Sequence, residues 1–293
     1  MATIREPAVA GMFYPSVRAT LNRDVEELLR SAAPRKPEGT LVALISPHAG
    51  YIYSGSTAAM GYTLLSSLTF DSVVIVGPSH RELFEAITVF PGDAYRTPLG
   101  DVQVDTALRE ELVRQSDDII RSERGHRSEH AIEVQLPFLQ KVLGEFKFLP
   151  IVMGSQQREY CEILSAALAK VVDGKNVLLV ASSDLSHYHP HEYAVRLDRR
   201  VIEDVKAFNA DALLQRLERQ EVEACGGGPM VAVMKTAQKL GANRSHILQY
   251  CTSGDVTGEK GAVVGYLSVA FTSQSGSTGS QTMGLDSGRA GMN

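Results

Sequence analysis

One device recurs along this chain and restricts its fold more than any other feature. An apolar run of strand length is broken by small, polar or proline residues, and a histidine follows within a few positions. Leu41-Val42-Ala43-Leu44-Ile45 is broken by Ser46-Pro47 and followed by His48. Ser72-Val73-Val74-Ile75-Val76 is broken by Gly77-Pro78-Ser79 and followed by His80. Asn176-Val177-Leu178-Leu179-Val180 leads through Ala181-Ser182-Ser183-Asp184-Leu185-Ser186 to His187. Runs without polar alternation belong to strands buried on both faces. Proline ends such a strand because it cannot donate to a ladder. Open parallel sheets collect their ligands at the carboxyl ends of the strands. If the three strands lie parallel in one sheet, His48, His80 and His187 converge on one edge. A lone histidine there would be a strand-end residue or a cap, whereas three after matching runs predict a shared site.

The segments between the runs read as the rest of an α/β fold. Residues 18–33 predict a helix with Leu21, Val25, Leu28 and Leu29 on one buried face. Residues 34–39 form a linker, and 56–68 a crossover helix rich in Ala and Gly. Residues 86–104 predict a β-excursion, with a hairpin in it. Asp105 caps a helix through Gln115. Ser128 caps another, which would set Glu129, His130 and Glu133 along one helix edge. Strands are expected at 147–153, 245–251 and 262–271, and helices at 160–172, 190–208, 211–219 and 230–240, the last behind a glycine loop at 223–229. The expected architecture is one α/β domain, residues 1–271, with a central, mostly parallel sheet flanked by helices. Residues 272–293 are rich in Ser and Gly and predict a disordered tail.

Bulk properties exclude several functions. The 293 residues carry a net charge of −5 with no basic stripe, which argues against a nucleic-acid partner. No apolar run approaches the roughly 20 residues of a membrane helix, and the N-terminus lacks the apolar centre of a signal peptide. Cys161, Cys225 and Cys251 are an odd set without a disulfide pattern, as expected of a protein in a reducing cytosol.

Histidine is the commonest metal ligand, and His48 and His80 sit on short loops stiffened by proline. Cys225 is a candidate third ligand: three glycines follow it and a helix starts just beyond, where positive potential would favour thiolate. The alternative makes it a small buried thiol beside a flexible loop. Asp184 and His187, three apart on one loop, suit a carboxylate that orients a general base, or else a cap and a surface histidine. His130 is first a donor to a ligand, with a fourth ligand or a satisfied core histidine as the alternatives. His189 and His191 look like bystanders, and His126 and His246 structural. The glycine run at Gly226 could also bind an anion through its amides. No Gly-x-Ser-x-Gly elbow or Gly-x-Gly-x-x-Gly turn is present to support a serine hydrolase or a dinucleotide site.

Several of these stretches together resemble one family. They are Arg5 to Pro15, Pro47-His-Ala-Gly-Tyr-Ile-Tyr-Ser-Gly55, Gly77-Pro-Ser-His80, Glu129 to Leu139, Ser182-Ser-Asp-Leu-Ser-His-Tyr188 and Cys225-Gly226. In this order, from about residue 5 to 271, they are similar to the Memo family, named for a mediator of receptor-tyrosine-kinase-driven cell motility. The resemblance implies a fold related to class III extradiol dioxygenases, the non-haem iron enzymes that cleave catechol rings. It implies a metal pocket of His48, His80 and Cys225, with Asp184 and His187 beside it. Those relatives use a glutamate where Cys225 stands, so the softer thiolate makes iron, copper or zinc the ions to consider, iron first. Animal members are linked to phosphotyrosine peptides, to copper and iron handling and to redox signalling, and microbial members to a radical-SAM protein and an AMMECR-type domain.

Together these readings predict a cytoplasmic, metal-binding, redox-active protein, or an oxidoreductase acting on a small substrate. His187, oriented by Asp184, is the acid/base, and Tyr51 lines the pocket. The alternative is a non-catalytic module that binds a phosphorylated peptide or partner protein in the same pocket. A third is zinc-dependent hydrolysis. Neither nucleic acid nor membrane is an expected partner.

Overall fold

In the computed structural model, which describes residues 2–274, the apolar runs are strands lying side by side. The chain opens with β1 (Ile4–Arg5), α1 (Arg18–Ser31), β2 (Thr40–Ser46), α2 (Tyr51–Tyr62) and β3 (Ser72–Pro78). The excursion consists of β4 (Ile87–Val89), the hairpin β5 (Ala94–Thr97) and β6 (Gly100–Val104), α3 (Thr106–Val113) and β7 (Ile119–Arg121). Next come α4 (Leu136–Leu143), β8 (Lys147–Met153), α5 (Arg158–Val172), β9 (Val177–Ser182) and β10 (His187–His189). Then follow α6 (His191–Lys206), α7 (Ala210–Glu218), α8 (Gly227–Lys239), β11 (Arg244–Thr252), α9 (Ser253–Thr257) and β12 (Val263–Ser273).

The centre of the sheet runs β8-β3-β9-β2, all parallel, with β9 between β2 and β3, which are consecutive in sequence. β12 lies antiparallel beside β2 and carries β11 on its other side. The β5–β6 hairpin extends the sheet beyond β8, and β1 pairs with β5. In β2, β3 and β9 the side chains alternate between two cores. Ala43, Ile45, Val74, Val76, Leu179 and Ala181 face one side, under α3 and α5 to α8. Leu44, Val73, Ile75, Leu178 and Val180 face the other, under α1, α2 and α4. Both faces are dry, so these strands need no polar alternation. Each Val, Leu or Ile so buried contributes about 1.5–3 kcal/mol of hydrophobic stabilisation. The molecule is therefore a single α/β domain with a central, mostly parallel sheet flanked by helices, as expected. Among the described residues no helix is long and apolar enough to cross a membrane.

Local differences from the expected elements bear on the site. α2 begins at Tyr51 rather than Ser56, because the Tyr51 amide finds the Phe13 carbonyl at 2.8 Å and Ser54 N closes on Gly50 O at 3.1 Å. α8 begins at Gly227, so the glycine run forms the helix start instead of a separate loop. β12 runs on through Thr272 and Ser273, and residues 275–293 of the expected tail lie outside the described residues. The helix expected behind Ser128 starts only at Leu136, after a 3-10 turn at Glu133–Gln135. Glu129 and Glu133 therefore do not share a helix edge.

Instead, Glu133 ties down the N-terminal segment. Its carboxylate accepts from Arg5 Nη1 (2.7 Å), Tyr14 OH (2.5 Å) and the amides of Ala8 (2.7 Å) and Val9 (3.0 Å). Arg5 also donates to the carbonyls of His126 and Glu129. This explains why Arg5 to Pro15 is ordered: an extended segment without a helix or long strand has its polar groups answered by one buried anion.

Candidate metal centre

The carboxyl ends of β2, β3 and β9 place the site. His48 stands two residues beyond β2, His80 two beyond β3, and Ser182 is the last residue of β9. The His48 and His80 rings meet edge to face with centroids 5.1 Å apart. Cys225 Sγ lies 3.1 Å from His48 Nε2. One ligand atom from each of His48, His80 and Cys225 lies within 4.8 Å of the others, a set compatible with one metal ion.

Cys225 comes from the α7–α8 connection and is fixed from several sides. Its amide donates to Asp184 O (3.2 Å), its carbonyl accepts from Gln156 Nε2 (2.8 Å), and Asp184 N donates to its sulfur (3.2 Å). Gly226 presses on the end of β9. A Cβ there would lie 2.3 Å from Ser182 O, so only glycine lets the cysteine approach this closely.

Each imidazole is held through Nδ1. His80 Nδ1 is 2.9 Å from Glu129 Oε1, and His80 N donates to Glu129 Oε2 at 2.6 Å. The same carboxylate accepts the amides of His130 (2.8 Å) and Ala131 (2.9 Å). His48 Nδ1 is 2.9 Å from Ser182 Oγ, and its amide donates to Asp184 Oδ1 at 2.8 Å. A carboxylate behind a ring nitrogen orients the opposite nitrogen and raises its basicity, the usual support of a histidine ligand. His130 stacks on His80 with centroids 4.7 Å apart and sits 5.3 Å from His48. Its Nδ1 lies 3.2 Å from Glu129 Oε1 but out of line for a hydrogen bond. His80, Glu129 and His130 thus form a second, overlapping group of donor atoms within 4.8 Å.

Electrostatics favour a neutral His48 ring and a protonated Cys225 thiol. Burial, with His130 and His80 nearby, keeps the His48 pKa well below its ordinary value. Burial pushes Glu129 up, but the His130 and His80 rings outweigh it and hold the carboxyl well below the usual range. Burial, then the charge of Asp184, pushes the Cys225 thiol up. This corrects the expectation that the helix start would favour thiolate: in the metal-free chain desolvation wins. The amides there are also engaged, Gly226 N on Ser183 Oγ (2.9 Å) and Gly228 N on Gln156 Oε1 (2.7 Å). They are not free for the anion expected at Gly226.

Asp184 lies in the cluster, buried, with its pKa raised by burial despite the hydrogen bond from His48 N. It does not orient His187, whose Nδ1 is 2.8 Å from Leu185 O; Asp184 holds the His48 backbone instead. Tyr51 is buried between Tyr14 and Phe138 with its hydroxyl on Val134 O (2.6 Å), so it supports the pocket wall and offers it no polar group. His126 is buried and bonded to Tyr95 OH (2.6 Å), as a structural histidine should be. His189 pairs with Glu223 and His191 with Thr252, away from the ligand set. Sequence reasoning did not single out Glu129, Ser182 or Gln135 for the site. The available signal was a buried polar residue beside a strand end or inside an apolar stretch, which says that a partner exists and not which one.

The chain matches the family model described as Memo-like protein over residues 5–270. It is 39% identical over 278 residues to a MEMO1 family protein of Methanopyrus kandleri, covering 91% of this chain and 98% of that one. A MEMO1 family protein of Methanocaldococcus jannaschii is 40% identical over 284 residues, covering 92% and 99%. The crystal structure of an uncharacterized protein from Escherichia coli K12 superposes with a TM-score of 0.54 at 16% identity, over 78% of this chain and 99% of that one. That last likeness concerns the fold alone.

Proposed function

The chain belongs to the Memo family, and on that premise we propose that it is a metal-binding protein in which His48, His80 and Cys225 hold one ion, iron first and copper or zinc next. In this reading the pocket is dioxygenase-like and serves redox chemistry on a small substrate. The observation that carries it is the approach of two imidazoles and one sulfur, with ligand atoms within 4.8 Å of one another and each ring's Nδ1 engaged on the protein side. The donor set fits a transition metal better than Ca²⁺ or Mg²⁺, which take oxygen ligands.

When bound, iron or copper would supply a redox-active centre with coordination positions left for substrate. The chain's own residues do the rest. Burial keeps His48 neutral, the form that ligates. Asp184 and Ser182 hold its backbone and ring, and Glu129 holds His80. His187, with Nδ1 on Leu185 O, keeps Nε2 to accept a proton from substrate.

The test is elemental analysis of protein purified without oxygen, wild type beside His48→Ala and Cys225→Ser, followed by oxygen uptake after loading with Fe(II) or copper. Stoichiometric metal in the wild type and its loss in both variants is the expected result. A wild type that neither contains nor takes up metal overturns the reading. Zinc alone, with turnover of an ester or amide, would make the pocket hydrolytic.

One observation favours a second reading, a binding module for a phosphorylated peptide or partner protein. Met12, Ile52, Leu83 and Tyr188 are exposed large apolar side chains on the segments that carry Phe13, Tyr51, His80 and His187. Peptide binding that survives chelation would favour the module over the metal-centred role.

A further inference from the structure

We propose that Gln135 and Ser182 are positioning residues that fix the tautomer of His48, with the ring proton on Nδ1 and the Nε2 lone pair turned toward Cys225. The purpose of this device rests on the metal reading above; the tautomer itself is a property of the metal-free chain.

The assignment follows from counting hydrogens outward from groups whose roles are not in doubt. A backbone carbonyl only accepts. Gln135 Nε2 is 3.0 Å from Pro47 O, so the amide nitrogen must face that carbonyl, and a flipped amide would set two acceptors against each other. With that orientation Gln135 Oε1 takes the Tyr62 hydroxyl at 2.6 Å, and Nε2 gives its other hydrogen to Ser182 Oγ at 2.7 Å. Ser182 Oγ lies 2.6 Å from Ala131 O, a separation that requires a hydrogen between the two oxygens. The single serine hydrogen is therefore committed to Ala131 O. Toward His48 Nδ1, 2.9 Å away, Ser182 can only accept. Nδ1 must carry the proton, and Nε2, 3.1 Å from Cys225 Sγ, is the unprotonated nitrogen.

All three side chains are deeply buried, with Gln135 1%, Ser182 0% and His48 2% exposed, so no water competes for these hydrogens. In solution the two neutral tautomers of a histidine exchange freely. Here the alternative would leave the short Ser182–Ala131 contact without a hydrogen, and an unmet buried polar group is costly. Glu129 does the corresponding service for His80 through Nδ1. The His80 side chain is 27% exposed, and that of Glu129 behind it 2%.

The test reads the ring nitrogens by NMR of ¹⁵N-histidine-labelled, metal-free protein, with the His48 signals assigned by their loss in His48→Gln. The wild type should show one slowly exchanging Nδ1–H tautomer at His48; an Nε2–H tautomer or an averaged signal overturns the proposal. Ser182→Ala should give a tautomer mixture and weaken Co²⁺ binding by roughly 10–100-fold, the usual scale for losing a group that orients a ligand. Ser182→Thr, which keeps the hydroxyl, should restore both. A Ser182→Ala protein that keeps a single Nδ1–H tautomer, or that changes tautomer without weakening Co²⁺ binding, overturns the positioning role. Should the wild type show the Nδ1–H tautomer yet bind no Co²⁺, the metal reading fails and the tautomer assignment stands. Once assigned, the wild-type spectrum decides the tautomer even if the Ser182 variants do not fold.

Discussion

Glu133 and Glu129 stand four residues apart and organise two regions that differ in one respect. Around Glu133 every partner ends in the protein: Arg5, Tyr14 and two amides donate inward, and neither Arg5 nor Glu133 exposes more than 4% of its side chain. Around Glu129 the donors are as numerous, but one of them is the His80 ring, whose other nitrogen belongs to the pocket. The first region is a closed knot that fixes the N-terminal segment. The second passes its order on to a group left available for a ligand. A buried carboxylate is thus no sign of a site by itself; what matters is whether its partners have a free end.

The largest expected effect separates the two directly. Glu133→Ala leaves the Arg5 guanidinium buried without its anion and should cost about 3–5 kcal/mol of stability, measured as a lower urea midpoint. Metal content per folded molecule should stay at the wild-type value; a matching loss of metal would show the knot and the pocket to be one unit. Glu129→Gln should do the reverse, lowering metal affinity roughly 10–100-fold in a competition titration while leaving most of the stability in place. Next comes the pH dependence of uptake. Burial and Asp184 raise the Cys225 thiol, so binding must expel its proton, and affinity should rise by about tenfold per pH unit from pH 6 to 8 for one proton released. Cys225→Ser should flatten that slope. The smallest effect belongs to the closed side. Burial lowers His126 to about 3 from an ordinary 6.5, so between these values the unfolded chain takes up the proton first. Stability from this group is complete above pH 6.5 and is lost as pH falls, by up to about 1.4 kcal/mol per unit. Denaturation of wild type and His126→Gln at pH 7 and pH 5.5 checks it, the variant being the less sensitive.

Much of this was legible in the sequence for a local reason. A strand buried on both faces advertises itself through an unbroken apolar run, and its end through a proline or glycine. The sequence alone therefore sets His48 and His80 on one edge. Cys225 was less legible, because its position depends on Gly226 meeting the end of a strand more than forty residues earlier. The partners of the polar groups were not legible at all. Asp184 stands three residues from His187 and serves His48, 136 residues away. Glu129 and Glu133 have helical spacing but lie ahead of the helix, because each carboxylate binds a different distant segment more strongly than a turn of helix would reward. Periodicity reports which face of an element is dry, and carries no record of which buried donor meets which acceptor.

The insertion of β9 between β2 and β3 has a consequence for the order of events during synthesis. The strands that bear His48 and His80 emerge from the ribosome long before the one that must separate them, and Cys225 follows later still. A nascent chain that has reached only β8 can bring the two histidine strands together only in a pairing that the finished molecule forbids. The three candidate ligands are therefore all present only once Cys225 has been made, so in the proposed reading an ion could be held by the full set only after that point.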